Sequence, residues 1–331
     1  MTQLSVLDLV PIREGGTLPQ AFAAAASLAK MAEDAGYKRF WVAEHHAMEG
    51  IAGGAASVVL AHVGHATCAI RIGSGGIMLP NHNPFVIAEQ FGTLDALFPG
   101  RIDLGLGRAP GADGRIQRAF RKNLGQAAQD FPQDVQELRA YFAGHPDVGL
   151  RPTPGFGADI EMWMLGSSLF GAQLAAALGL PYAFAAHFAP DHLDEALAVY
   201  RRNFQPSEKL DRPHVMVAMN VFAAETDEAA QTLSTSQLQA FVRLRTGTPG
   251  KLPPPVANYR DTLDPMARRM LDHVSQASAV GSPATVREQV EAFVARTQAD
   301  EIIVAGATYD PEAREKSLRL TAEALAAFEP A

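Results

Sequence analysis

Cysteine is almost missing: Cys68 is the single one in 331 residues. An intrachain disulfide is therefore excluded, and a reducing compartment such as the cytoplasm is expected. Long apolar runs are missing as well. No run approaches the roughly 18 residues that suggest a membrane span. The opening MTQLSVLDLVPIREGG lacks a basic segment followed by a long apolar one, so no signal peptide is expected. Positive charge is scarce. There are 28 Lys and Arg against 36 Asp and Glu, a formal net charge of -8, and no basic patch. That balance argues against nucleic-acid binding.

What is present alternates. Short apolar runs at 4–9, 39–43, 70–73, 102–106, 161–165, 182–186, 214–223 and 301–304 read as strands. Between them lie helical segments at 17–35, 55–67, 84–97, 170–178, 191–204, 227–244 and 285–298, with a last one at 310–328. In the first helix Leu18, Phe22, Ala25, Ala29 and Ala32 repeat at spacings of four and three. Thr17 with Gln20 fits a capping box, and Gly36 fits a C-terminal stop. The first four strands start about 32 residues apart, one βα unit each. Eight such strands favour a single-domain (β/α)8 barrel over 1–331 rather than an open doubly wound sheet. Two stretches break the rhythm. Residues 109–160 make a long connection between the fourth and fifth strands, and 246–283 open on the Pro-rich TGTPGKLPPPV. Loops of that length tend to be functional.

In a barrel, chemistry collects at the C-terminal ends of the strands. Strand two ends in Glu44-His45-His46, strand three in Gly73-Ser74-Gly75-Gly76, and strand four in Gly105-Leu106-Gly107-Arg108. Strand five ends in Gly166-Ser167-Ser168, strand six in Ala185-Ala186-His187. Three readings of the acidic-imidazole trio stay open: metal ligands, an acid–base or cofactor-contacting set, or a solvated strand end. A zinc site needs three or more converging ligands, and the helical H-E-x-x-H spacing is absent. The glycine pair suits either close approach of a flat ligand to backbone or a plain turn. GLGRAPG lacks the third glycine of a dinucleotide fingerprint, because Pro110 interrupts it. Gly166-Ser167-Ser168 joins a strand to an Ala-rich helix, so its backbone N–H groups and hydroxyls suit a phosphate, with Arg108 as countercharge. An ordinary serine N-cap is the alternative. His62 and His65, three apart on one helix, face solvent or a partner subunit.

These strand ends together resemble the bacterial luciferase-like flavin monooxygenase family, in its single-chain, group-1-type branch. The residues that carry the resemblance are WVAEHH at 41–46, IGSGGIMLPNHNP at 72–84, FPGRIDLGLGRAPG at 98–111, LGSS at 165–168 and GLPYAFAAHFAP at 179–190. VGSP and ADEIIVAG extend it toward the C-terminus. The resemblance implies a TIM barrel. It implies that His45 is the acid–base catalyst beside the flavin and that Glu44 is the neighbouring carboxylate. Gly75-Gly76 would carry a non-prolyl cis peptide. Arg108, Ser167 and Ser168 would cradle the FMN phosphate, with Ser74 and His187 among the cofactor contacts. The stretch from Thr246 would be a mobile lid. The chain departs from the family at Gly107, where the light-producing subunit has cysteine, so light emission is not expected.

The activity implied is an FMN-dependent two-component monooxygenase. A separate flavin reductase would supply reduced FMN, and O2 would react with a small organic substrate. A homodimer is implied as well, with no metal, nucleic acid or membrane. Three rivals remain: F420-dependent hydride transfer on the same barrel, flavin binding without catalysis, and metal-dependent hydrolysis. The substrate is not legible.

Overall fold

The strands close because each parallel neighbour hydrogen bonds to the next around a full ring. In order, β1 (Gln3–Asp8), β2 (Arg39–Val42), β3 (Arg71–Met78), β4 (Ile102–Gly107), β5 (Glu161–Gly166) and β6 (Tyr182–Phe184) pair side by side. Then β6 pairs with β7 (Val215–Ala223), β7 with β9 (Glu301–Ala305), and β9 with β1. The computed structural model describes residues 2–109, 119–120 and 123–326. The expected eight strands are the eight of this closed parallel barrel.

One further strand was not expected. The four-residue β8 (Ser278–Gly281) lies outside the ring and pairs in parallel with Asn220–Ala223 of β7. Its SAVG is too short for a periodic signal. The helices are α1 (Leu18–Asp34), α2 (Ala56–Ala66), α3 (Pro84–Leu97), α4 (Leu124–Phe142), α5 (Leu169–Leu178), α6 (Leu193–Asn203), α7 (Asp227–Arg245), α8 (Pro265–Val274), α9 (Pro283–Thr297) and α10 (Pro311–Leu325). In the long β4–β5 connection, α4 is a 19-residue helix that contains Pro132. An internal proline ordinarily ends a helix, which hid this one from pattern reading. Pro110 and Gly111 of the glycine-rich stretch, and 327–328 of the last expected helix, fall outside the described residues.

Two cores follow from the two-sided strands. The larger lies between strands and helices and includes Phe40, Ile72, Leu104 and Phe91. The smaller fills the barrel with Leu7, Trp41, Trp163, Met216 and Ile303. The two indoles meet edge to face with centroids 5.3 Å apart. Gly73 makes that fit possible, since a Cβ there would stand 2.9 Å from Trp41 Nε1 and 2.5 Å from Asp103 Cβ.

Below the indoles, at the N-terminal ends of the strands, lies a buried ion network. Arg39, 1% exposed, donates from Nε to Glu301 (2.8 Å) and from Nη1 to Asp103 (2.7 Å) and Glu161 (3.1 Å). Arg71 Nε reaches Asp103 at 2.7 Å. Trp41 Nε1 donates to Asp103 at 2.9 Å and Trp163 Nε1 to Glu161 at 2.8 Å. Burial pushes Asp103 up and outweighs the opposing pull of Arg39. For Glu301 burial acts in the same sense, but its bonds and charged neighbours win and hold it low.

Candidate active site

The backbone leaves β2 at Ala43 and turns sharply, with Ala47 in the left-handed region at φ +53°. The turn folds Glu44 inward and leaves His45 on the wall of the mouth. Glu44 is 2% exposed, and both its oxygens are engaged. Oε1 accepts from His82 Nε2 at 2.7 Å and pairs with His46 Nε2; Oε2 accepts from the Met78 amide at 3.0 Å. Burial alone would raise this carboxyl, but the two imidazoles and the amide outweigh it and hold it at about 2. Glu44 thus anchors two histidines, with both oxygens taken up by protein groups. His46 gains a place as well, stacked edge-on to Phe120 at 4.9 Å and bound to Glu44.

His82 is the residue that pattern reading missed, although it stands at the end of the third strand within the quoted PNHNP. The potential ligand atoms of Glu44, His46 and His82 lie within 4.8 Å of one another, a composition suited to a metal. Here the contacts are direct hydrogen bonds.

His45 and His187 are of another kind. Nδ1 of each is buried without a hydrogen-bond partner. Burial lowers the proton affinity of His45, an effect that Glu44 opposes and His46 reinforces. Burial takes His187 down to about 4, with a smaller contribution from the charge of His45.

The Gly75–Gly76 peptide is cis, as the motif implied. Neither position has room for a side chain: a Cβ on Gly75 would meet Leu7 Cδ1 at 2.7 Å, and one on Gly76 the Gly105 carbonyl oxygen at 2.8 Å. Ser74 sits in the seam between β3 and β4. It is fully buried, and its hydroxyl donates to the Gly105 carbonyl at 3.0 Å while accepting from the Gly105 amide at 3.1 Å. It locks β3 to β4.

At the ends of β4 and β5 lie the residues expected to cradle a phosphate. Ser168 is the N-cap of α5, yet among the described residues no side chain caps that terminus. Arg108 lies over the Phe170 ring at 4.0 Å, in the first turn of α5, and its Nε donates to the Ala128 carbonyl at 3.0 Å. An exposed guanidinium is thereby held beside amides that have no side-chain acceptor. Gly107, next to it, has its nearest Cβ neighbour at 3.7 Å, so that edge of the mouth is open. Above the barrel, Phe241 of α7 packs on Phe188 with centroids 6.3 Å apart. Residues after α7 are tied down by Leu252, whose amide donates to Ile12 at 2.9 Å and whose carbonyl accepts from Glu14 at 2.8 Å. No helix among the described residues is long and apolar enough to cross a membrane.

The sequence profile described as luciferase-like monooxygenase matches residues 2–301. The chain belongs to this family. A luciferase-like monooxygenase of Escherichia coli K12 is 50% identical over 317 residues, covering 96% of this chain and 95% of that protein. N-acetyl-S-alkylcysteine monooxygenase of Bacillus subtilis is 36% identical over 254 residues, 75% of each chain. Among solved structures, apo-MsnO8 superposes with a TM-score of 0.88 at 33% identity, covering 100% of both chains. More distant structures share the fold alone. One is the FMN complex of the 3,6-diketocamphane monooxygenase oxygenating constituent of Pseudomonas putida (TM-score 0.72, 19% identity, 98% of both chains). Another is an F420-dependent secondary alcohol dehydrogenase (TM-score 0.71, 14% identity, 98% and 99%). The luciferase-like family and the barrel, both expected from the strand-end motifs, are therefore shown.

Proposed function

We propose that this luciferase-like protein is an FMN-dependent oxidoreductase, acting as the oxygenase of a two-component monooxygenase on a small organic substrate and O2. The observation that carries the reading is the uncapped start of α5 beside Arg108. An N-terminus with free amides and a preorganised guanidinium is an anion site for a phosphate monoester. The residues fit the cofactor in two further respects. Gly75 and Gly76, joined by a cis peptide, pack directly against Leu7, Trp41 and Gly105, which puts bare backbone at the end of β3. Relatives at 50% and 36% identity, named as monooxygenases, support the same reading.

Reduced FMN, when bound, would supply the electrons that activate O2. The chain's own residues do the rest. Arg108, Ser167, Ser168 and the α5 amides hold the phosphate. Gly75 and Gly76 let the ring approach backbone. His45 holds or moves a proton at Nε2 on one wall, and His187 faces it from the other. Residues 246–283 form the lid that excludes water, which matters because competing hydrolysis and proton leakage need solvent. A separate reductase delivers reduced FMN, and the protein works as a homodimer through the small-residue helix α2, where Val58 is 68% exposed.

Anaerobic fluorescence titration with reduced FMN, oxidised FMN and reduced F420 tests the assignment. Tight binding of reduced FMN, followed by O2-dependent product formation on a substrate panel, is the expected result. Binding of reduced F420 alone would replace the flavin reading with hydride transfer, and light scattering that gives a monomer would remove the dimer.

A further inference from the structure

His45 follows β2 and His187 follows β6, which stand four strands apart in the eight-stranded ring and so face each other across the mouth. In both rings Nδ1 is buried and unpartnered, while the ring as a whole is only partly covered. Among the described residues, no protein group hydrogen bonds to either Nε2.

A neutral imidazole carries one proton on one of two nitrogens. A proton on the buried Nδ1 would be a donor without an acceptor, at a cost of about 1–3 kcal/mol. Orphaned buried N–H groups are rarer than orphaned acceptors. The doubly protonated ring would put an N–H at the same buried atom and bury a charge as well. Among the described residues no carboxylate relieves this, since the oxygens of Glu44 are engaged by His46, His82 and the Met78 amide. Both rings are left neutral with the proton on Nε2, the nitrogen that is not enclosed.

We propose that His45 and His187 are a matched pair of neutral imidazole N–H donors, which grip one electron-rich oxygen of the bound reactant from opposite walls. This rests on the flavin-oxygenase reading for the identity of the reactant. It narrows His45 from a proton-transfer group to a hydrogen-bond donor, a use of neutral imidazole that depends on lowered basicity. His187 is a further catalytic residue in this scheme, not only a cofactor contact.

The position of His187 is fixed from behind. Asn220 Nδ2 donates to the His187 carbonyl at 2.9 Å, Gln237 Nε2 to Asn220 Oδ1 at 2.7 Å, and the Ala307 amide to Gln237 Oε1 at 2.6 Å. This chain of bonds joins the loop after β6 to β7, α7 and the loop after β9. Backbone held this way fixes where the His187 ring is placed at the mouth, which favours electrostatic preorganisation.

The test has two arms. Long-range 1H–15N correlation on the 15N-histidine-labelled full chain at pH 7, without added cofactor, reads the tautomer of each ring. His45→Gln and His187→Gln identify the two signals among the ten histidines. Nε2–H tautomers at both upholds the pair; an Nδ1–H tautomer or an imidazolium at either overturns it. The second arm measures the rate at which bound reduced FMN is oxidised by O2. His187→Leu removes the donor and is expected to change the rate at least tenfold. His187→Gln restores an N–H near Nε2 and should recover at least fivefold of that change. Equal rates in the two variants would overturn the donor role. Both tautomers as expected in a chain that binds no FMN would uphold the pair and sink the flavin assignment.

Discussion

The two ends of the barrel use similar residue types in opposite ways. At the floor, Arg39 binds Asp103, Glu161 and Glu301, and both tryptophans donate into the same carboxylates. At the mouth, two imidazoles keep a buried nitrogen unpaired, and a helix starts without a side-chain cap. The floor network engages Arg39 and most of its carboxylate oxygens, Glu301 Oε2 being buried without a hydrogen-bond partner among the described residues. It contributes order and specificity of packing; the open valences at the mouth leave something to bind with. The difference follows from position, since strand C-termini meet variable loops while strand N-termini meet short connections.

Breaking the floor should have the largest effect. Arg39→Leu leaves Asp103 and Glu301 as buried charges without their main partner, and a loss of about 3–5 kcal/mol is expected in urea denaturation. A variant as stable as the parent would show that the floor is not the structural end.

Acid should expose the mouth. His187 binds its proton at about 4 when folded, below the ordinary value of 6.5. The unfolded chain therefore takes up the proton first. The favourable neutral state is fully present above pH 6.5 and is lost as pH falls toward 4, a change on the order of 3 kcal/mol. Urea midpoints measured between pH 7 and pH 4 should fall, and His187→Gln should flatten the slope. Glu44 behaves alike at lower pH: its carboxyl is held at about 2, so its contribution is lost below pH 4.5.

Arg108→Ala separates binding from stability. Loss of a charge-assisted bond should weaken reduced FMN binding roughly ten- to hundredfold by fluorescence titration. The urea midpoint should hardly move, because the side chain is exposed.

The smallest effect is expected at the open edge. Gly107→Ala meets nothing closer than 3.7 Å and should shift stability by no more than about 0.5 kcal/mol. Its neighbour Gly105 is the contrast: a Cβ there would lie 2.2 Å from the Ser74 carbonyl oxygen, so Gly105→Ala should unfold at clearly lower urea.

Much of the scaffold was legible beforehand because a βα unit imposes a regular rhythm on apolar residues. The strands of the barrel follow that rhythm, and the cis bond at Gly75–Gly76 lies within a contiguous stretch whose family resemblance implied it. Pattern reading failed where a residue's partner is distant in sequence. Ser74 reads as a contact but binds Gly105, 31 residues away. The partner that takes up Glu44, His82, stands 38 residues on and is invisible to periodicity. β8 and α4 escaped for local reasons, one too short and one interrupted by Pro132.

By itself, then, the sequence determined the alternation of strand and helix, the absence of disulfides, and the identity of the groups at each strand end. Periodicity and composition act along the chain and need no fold to be read. Only the closure of the ring decided which of those groups are spent and which stay open. Whether a histidine has a partner depends on atoms brought from other strands, and that is how Glu44 came to bind His46 and His82 while His45 and His187 kept a nitrogen apiece unpaired.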